Sequence, residues 1–247
     1  MNRFTILGSA NAVPKVGQDN THLLIEGEKK TVMIDCGDNP VAKITAAGSS
    51  ILSVTDLVLT HFHADHVGSL PLLIMDMWLE KRSNPLMIHG LKVTLEKAVR
   101  LLELFDWQNW PGMFPVMLNE IQADGETDFI VDGEFRISAL PVLHLVPTLG
   151  IRVAFSDGRV VAYSCDTEPC PNVVRLAEGA DVLLQEAAGE AKGHTSPEQA
   201  GVIAAEAGVR KLILIHYDNR VAENELLTAA RKQFNGEVLL ARDMMVV

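Results

Sequence analysis

Leu57-Val58-Leu59-Thr60-His61-Phe62-His63-Ala64-Asp65-His66 is the stretch from which the rest of the chain can be read. Its first four residues are apolar or β-branched and predict a strand. The next six hold three histidines and an aspartate, placed just past the strand end and before a predicted helix over Leu70–Leu79. Imidazole and carboxylate are ligands that a borderline cation such as zinc accepts. A turn can splay alternate side chains toward two ions, which one strand face or one helix face could not do. A solvated polar loop is the bland alternative, but four metal-capable side chains in six residues are too dense a pattern for it.

Working outward, three more such residues follow apolar strands. His144 comes after Ile137–Leu143, Asp166 after Val160–Ser164, and His216 after Lys211–Ile215. Taken singly, His144 and His216 read better as hydrogen-bonded interior histidines and Asp166 as a helix cap. Their shared position at strand ends predicts convergence with the 61–66 loop on one edge of the sheets.

Further strands are predicted at Phe4–Leu7, Leu23–Glu26, Val32–Cys36 and Leu86–His89. Asp132-Gly133 and Asp157-Gly158 mark hairpin turns, the first joining Phe129–Val131 to Phe135–Leu140, the second Ile151–Phe155 to Val160–Tyr163. Apolar spacing of three and four predicts a helix over Leu95–Phe105. Beyond residue 170 helix and strand alternate: helices Asn172–Glu178, Pro197–Ala207 and Ala222–Phe234, strands Val182–Leu184 and Leu212–Ile215. Ser196-Pro197-Glu198-Gln199 is a helix start with Ser as N-cap, Pro first and Gln third. Residues 97–120, with Trp107, Trp110 and Phe114, are the least regular part and are expected to form a loop or short helical flap. No linker or internal repeat divides the chain, so one domain over residues 1–247 is expected, with two mixed sheets covered by helices.

Hydrophobic residues make up 48% of the chain and charged ones 21%, a globular balance that excludes disorder. The net charge of −11 opposes long-range attraction to a phosphate backbone, although bound cations would reverse the sign locally. No apolar run approaches the ~20 residues that a membrane helix needs, and the opening Met1-Asn2-Arg3-Phe4 reads as strand rather than leader, so a cytoplasmic protein is expected. Cys36, Cys165 and Cys170 lack metal-type or redox-type spacing and are expected to be free thiols.

On these motifs the sequence resembles the metallo-β-lactamase superfamily, with its αββα four-layer sandwich and His-x-His-x-Asp-His motif. The resemblance implies an α/β fold of two mixed sheets, with Thr31–Gly37 carrying Asp35 beneath the metal loop. It implies two divalent cations, zinc first and manganese or iron as alternatives. His61, His63 and His144 hold one, Asp65, His66 and His216 the other, and Asp166 bridges, with a bridging hydroxide as nucleophile.

Within the superfamily the chain is most similar to ribonuclease Z and its phosphodiesterase relatives. Cys165–Cys170, the helix after it, and Gly179–Ala187 are similar to that family's segment between the bridging aspartate and the His-Glu-Ala-Thr motif. Gly193–Ala200 looks like its His-Ser-Thr loop. The resemblance implies a catalytic set of Asp65, His194 and Glu186, a phosphodiester substrate (an RNA end or a small diester), and a homodimer. Three features depart from ribonuclease Z. His144 and Asp166 leave room for one hairpin and no tRNA-holding arm, Gln185 stands where that motif has histidine, and Asp19 where it tends to have arginine. The short spacing more resembles the small cyclic phosphodiesterase of the carbon–phosphorus lyase pathway, without its Cys-rich zinc site. The alternative reading is hydrolysis of a thioester, lactone or β-lactam, and a third is a metal-binding module without hydrolysis. The His194–Glu186 pair discriminates against the second reading, and the lack of a flavin domain in this sequence against the third. His22 and His89 are expected to be packed residues. Trp107, Trp110 and Phe105 read as core or dimer-contact residues ahead of a substrate groove or base-stacking surface, and Arg220 as a helix-capping or surface ion pair or a phosphate contact.

Overall fold

The computed structural model describes residues 2–247; Met1 of the opening segment lies outside the described residues. The first half of the chain builds one sheet from β1 (Arg3–Gly8), β2 (His22–Glu26), β3 (Thr31–Ile34), β4 (Asp56–Leu59), β5 (Leu86–Gly90) and β6 (Val116–Glu120). The second half builds another from β7 (Thr127–Val131), β8 (Phe135–Val142), β9 (Thr148–Phe155), β10 (Val160–Tyr163), β11 (Val182–Glu186), β12 (Lys211–Ile215) and β13 (Glu237–Leu240). The chain then returns to the first sheet, where β14 (Met245–Val246) pairs with β1. Each sheet is antiparallel on one side and parallel on the other.

Period-two alternation explains why the first sheet is covered on both faces. Phe4, Ile6, Leu23, Ile25, Val32, Ile34 and Val58 enter the cluster shared with the second sheet. Their neighbours Leu7, Leu24, Met33, Leu57 and Leu59 point the other way. There they meet α1 (Pro40–Ala46), α3 (Leu70–Leu79) and α4 (Lys92–Glu103), while the short α2 (Ala64–Val67) carries part of the histidine loop. The second sheet is covered outside by α5 (Pro171–Ala177), α6 (Pro197–Ala207) and α7 (Glu223–Arg231). This is the αββα sandwich. No helix among the described residues is long and apolar enough to cross a membrane.

Local signals are obeyed where they were strongest. The Ser196 hydroxyl accepts the Gln199 N–H, and the Gln199 side-chain Oε1 accepts the Ser196 N–H, closing the capping box. Residues 97–120 correct the expectation of a loop or flap. α4 runs to Glu103, a short 3-10 turn follows at Trp107–Asn109, and Val116–Glu120 is a strand. β6 pairs on one side only, with β5, and stays half exposed, so its Val-Met-Leu-Asn-Glu sequence shows no alternation. β13 and β14 were not foreseen either; both are short and lie at sheet edges. All three cysteines are unpaired. Trp107 is buried, and Trp78 and Trp110 pack against each other with tilted rings whose centres lie 5.1 Å apart, whereas Phe105 is half exposed.

At the end of β4 away from the histidine loop, buried Asp56 accepts hydrogen bonds from His89 Nε2 at 2.8 Å, Lys30 Nζ at 2.7 Å and Thr55 Oγ1 at 2.6 Å. Burial pushes this carboxyl upward, but the three donors outweigh it and hold it at about 2. A carboxyl depressed by folding stabilises the native state above its unfolded pKa, and that contribution is lost as pH falls from about 4 toward 2. Asp56→Ala is expected to cost ~2 kcal/mol at pH 7, read as a fall of about 4–8 °C in Tm. The gap from wild type should narrow in melts below about pH 3; equal Tm values at pH 7 would count against the account.

Candidate metal centre

β4, β8, β10, β11 and β12 all end at the same edge of the sandwich, and each delivers a titratable side chain just past or at its last residue. β4 delivers the 61–66 loop, β8 His144, β10 Asp166, β11 Glu186 and β12 His216. The ligand atoms of His61, His63, His144 and Asp166 lie within 4.8 Å of one another, and so do those of Asp65, His66, Asp166 and His216. Asp166 belongs to both groups, one oxygen to each. Its Oδ2 lies 3.9 Å from His61 Nε2 and 3.8 Å from His144 Nε2. Its Oδ1 lies 3.4 Å from His66 Nε2 and 3.5 Å from His216 Nε2. Asp65 Oδ2 adds contacts of 3.5 Å to His66 and 3.3 Å to His216. All seven residues predicted to hold metal are therefore brought together.

The far nitrogens of these rings are held from behind. Asp35, fully buried, accepts the Thr60 N–H through Oδ1 and His66 Nδ1–H through Oδ2 at 2.8 Å. Thr60 Oγ1 in turn lies 3.1 Å from His61 Nδ1. His144 Nδ1–H donates to the Gly193 carbonyl at 2.6 Å. Each contact fixes a ring and leaves Nε2 facing the cluster. Gly193, at φ +88°, is the residue this requires: a Cβ there would lie 2.9 Å from His144 Nδ1 and 2.8 Å from Leu145.

The donor set fits divalent cations. His66 Nε2 and Asp166 Oδ1 are buried and face each other, yet neither has a hydrogen-bond partner; buried polar atoms seldom go unmatched unless aimed at a third atom. Burial, reinforced by His66, pushes His61 well below the usual histidine range, which leaves it neutral and able to ligate. Burial would raise Asp166, but His216 and His66 beside it hold it well below the carboxylate range. Asp65 is likewise held at about 2 by His216 and His66 against the cost of burial.

Glu186 and His194 sit at the rim. Glu186 is fully buried and accepts the backbone N–H groups of Thr167 and Thr195 through Oε1 and of Ala188 through Oε2. Oε1 also accepts His194 Nδ1–H at 3.0 Å. Burial raises Glu186, and Glu186 in turn raises His194, so a proton is held between them. Three backbone donors place it on the imidazole. The His194 ring lies 5.1 Å from that of His144 and stacks at 5.9 Å on that of His216. Gln185, turned away, donates to Thr195 Oγ1. His22 and His89 are buried away from the cluster, and Arg220 forks onto Asp218 in solvent.

Sequence reasoning missed Thr60, Cys165 and Glu168. Cys165 Sγ lies 3.1 Å from Thr60 Oγ1 and 3.6 Å from His61 Nδ1, and Glu168 accepts the Gly193 N–H. Thr60 and Cys165, each next in sequence to a predicted ligand, were the only ones with a signal.

This fold, with ligand-capable side chains at the C-terminal ends of its strands, is that of the metallo-β-lactamase superfamily. A family model described as Anti-Pycsar protein Apyc1 matches residues 2–238. The chain belongs to that family. It is also similar along its whole length to ribonuclease Z of Methanothermobacter thermautotrophicus, 27% identical over 100% of this chain and 96% of that one. Among solved structures it is similar to the metallo-β-lactamase fold protein YhfI from Bacillus subtilis, with a TM-score of 0.84 and 22% identity over 100% and 98% of the two chains. The human short-form tRNase Z gives a TM-score of 0.80 and 23% identity, also over 100% and 98%.

Zinc at about a hundred times its Kd is expected to raise folding stability by ~2.7 kcal/mol, and a chelator to reverse the gain. Asp166→Ala removes the oxygen pair shared by both groups, so elemental analysis should find at most one ion per chain; two retained ions would contradict the assignment.

Proposed function

We propose that the chain is a cation-dependent phosphodiesterase, one catalytic domain over residues 1–247. His61, His63, His144 and Asp166 Oδ2 would hold one divalent cation, and Asp65, His66, His216 and Asp166 Oδ1 the other, with zinc the first candidate. Bound there, the pair would supply Lewis acidity, which polarises a phosphoryl oxygen and makes water a nucleophile near neutral pH. The chain's own contribution is orientation and proton supply. Asp35, Thr60 and Gly193 aim the imidazoles from behind, so little reorganisation accompanies the reaction.

The observation that carries the reading is the Glu186–His194 pair. Nδ1 of His194 is spent on Glu186, so a charged imidazole presents Nε2–H at the rim of the cluster. That proton can bond a phosphoryl oxygen or pass to the departing alkoxide, a poor leaving group that needs one. Asp65, ionised and within 3.3 Å of His216, takes part as ligand and as acceptor for a proton released from water. A small diester or an exposed RNA end suits the site better than a long duplex. Only a hairpin, β9–β10, separates His144 from Asp166, and the net charge of −11 disfavours a long phosphate backbone. The resemblance to ribonuclease Z extends the proposal to a cytoplasmic homodimer.

The test is a parallel assay of zinc- or manganese-loaded protein on a nitrophenyl phosphodiester, precursor tRNA, a thioester and a chromogenic β-lactam. Cleavage of the diester is expected, with His194→Ala lowering kcat by ~10² or more. An unchanged kcat would remove His194 from the mechanism, and turnover of the thioester or β-lactam alone would replace the reaction class.

A further inference from the structure

One buried charged cluster takes no part in the chemistry above. Asp243 lies in the crossover from β13 in the second sheet to β14 in the first. Its carboxylate collects four donors with its side chain only 7% exposed. Oδ1 accepts the Ser9 N–H at 3.0 Å and the Ser9 hydroxyl at 2.9 Å. Oδ2 accepts the Asp19 N–H at 2.9 Å and the Lys43 ammonium at 2.5 Å. Ser9, fully buried just past the end of β1, uses its carbonyl to accept the His216 N–H at 3.0 Å. A continuous hydrogen-bonded chain thus runs from Asp243 through Ser9 to the backbone of His216.

That backbone needs holding. His216 has φ +52°, the left-handed region, which a residue bearing a Cβ rarely adopts. The strain persists only where surrounding contacts over-determine it. Here the Ser9 carbonyl belongs to one sheet and His216 to the other, so their bond also sets how closely the two strand ends approach. A displacement of Ser9 would carry His216 Nε2 away from Asp65 and Asp166. His61 and His144 of the first group have separate anchors in Thr60 and Gly193.

We infer that Asp243 is a positioning residue for the second cation site: by fixing Ser9 it fixes the His216 backbone and the aim of its imidazole. The inference rests on the two-cation reading above and adds a residue that contacts neither cation nor substrate.

Calorimetric titration of zinc into metal-free wild type, Asp243→Ala, Lys43→Ala and His216→Ala tests it, with His216→Ala marking which binding step belongs to the second site. Asp243→Ala is expected to weaken that step by about 10-fold or more, to leave the other within about 2-fold, and to speed hydrogen exchange at the His216 amide. Lys43→Ala removes the ion pair but leaves Ser9 held, so it should lower Tm while keeping both affinities. Should Asp243→Ala not fold, Asp243→Asn replaces it: its one oxygen is expected to stay with the Lys43 ammonium, which sets its NH2 group against the Ser9 N–H, and a selective loss at the same step is expected. Unchanged affinities, or equal weakening of both steps, in the Asp243 variant would overturn the inference. A wild type that takes up fewer than two ions would instead sink the two-cation reading.

Discussion

The structure depends on one carboxylate. Asp166 presents Oδ1 to His66 and His216 and Oδ2 to His61 and His144, and this requires loops from both sheets to arrive within a few ångströms of the same point. Four imidazoles and a buried carboxylate at such distances carry unmet polar atoms and a heavy desolvation cost. They are tolerable because the surrounding fold is rigid and because divalent cations would complete the set. The two hydrophobic clusters on either face of the first sheet supply that rigidity.

Around this point the molecule is layered by distance from the chemistry. The Nε2 atoms of His61, His66, His144 and His216 face inward. Behind His61, His66 and His144, the Asp35 carboxylate, Thr60 hydroxyl and Gly193 carbonyl settle ring orientation and tautomer. Behind those, Asp243 and Ser9 settle backbone position for His216. Several hinge residues of this arrangement adopt left-handed backbone despite carrying side chains: Asp35, Cys165 and His216, with φ of 59°, 53° and 52°. Strain gathered at strand ends beside reactive groups is the usual signature of a site held to a geometry the chain would not choose alone. The Glu186–His194 pair stands apart at the rim, where in the proposed reaction its proton would face the substrate.

Legibility from sequence followed the range of the forces involved. Strands such as β2, β4 and β12 show themselves because apolar runs and turn residues act locally, and the α6 capping box is written within four residues. β6 escaped because an edge strand pairs on one side and needs no alternation. The ligands announced themselves by residue type at strand ends. Their supports were harder to read: Asp35 was expected only through the family resemblance, Thr60 had only its place beside His61 to mark it, Gly193 contributes a carbonyl, which every residue has, and Asp243 is an ordinary polar residue until its partners are known.

The sequence by itself determined the alternation that builds two double-faced sheets, the histidine-rich turn after β4, and the list of side chains able to ligate. Those follow from local periodicity and from the chemistry of imidazole and carboxylate. Tertiary structure alone decided that Asp166 divides its two oxygens between the two groups, that Glu186 is stripped of solvent and loaded with backbone donors, and that Asp243 holds Ser9 where its carbonyl meets His216 from the other sheet. Each of these depends on contacts between residues far apart in the chain, and no local preference encodes where such residues will meet.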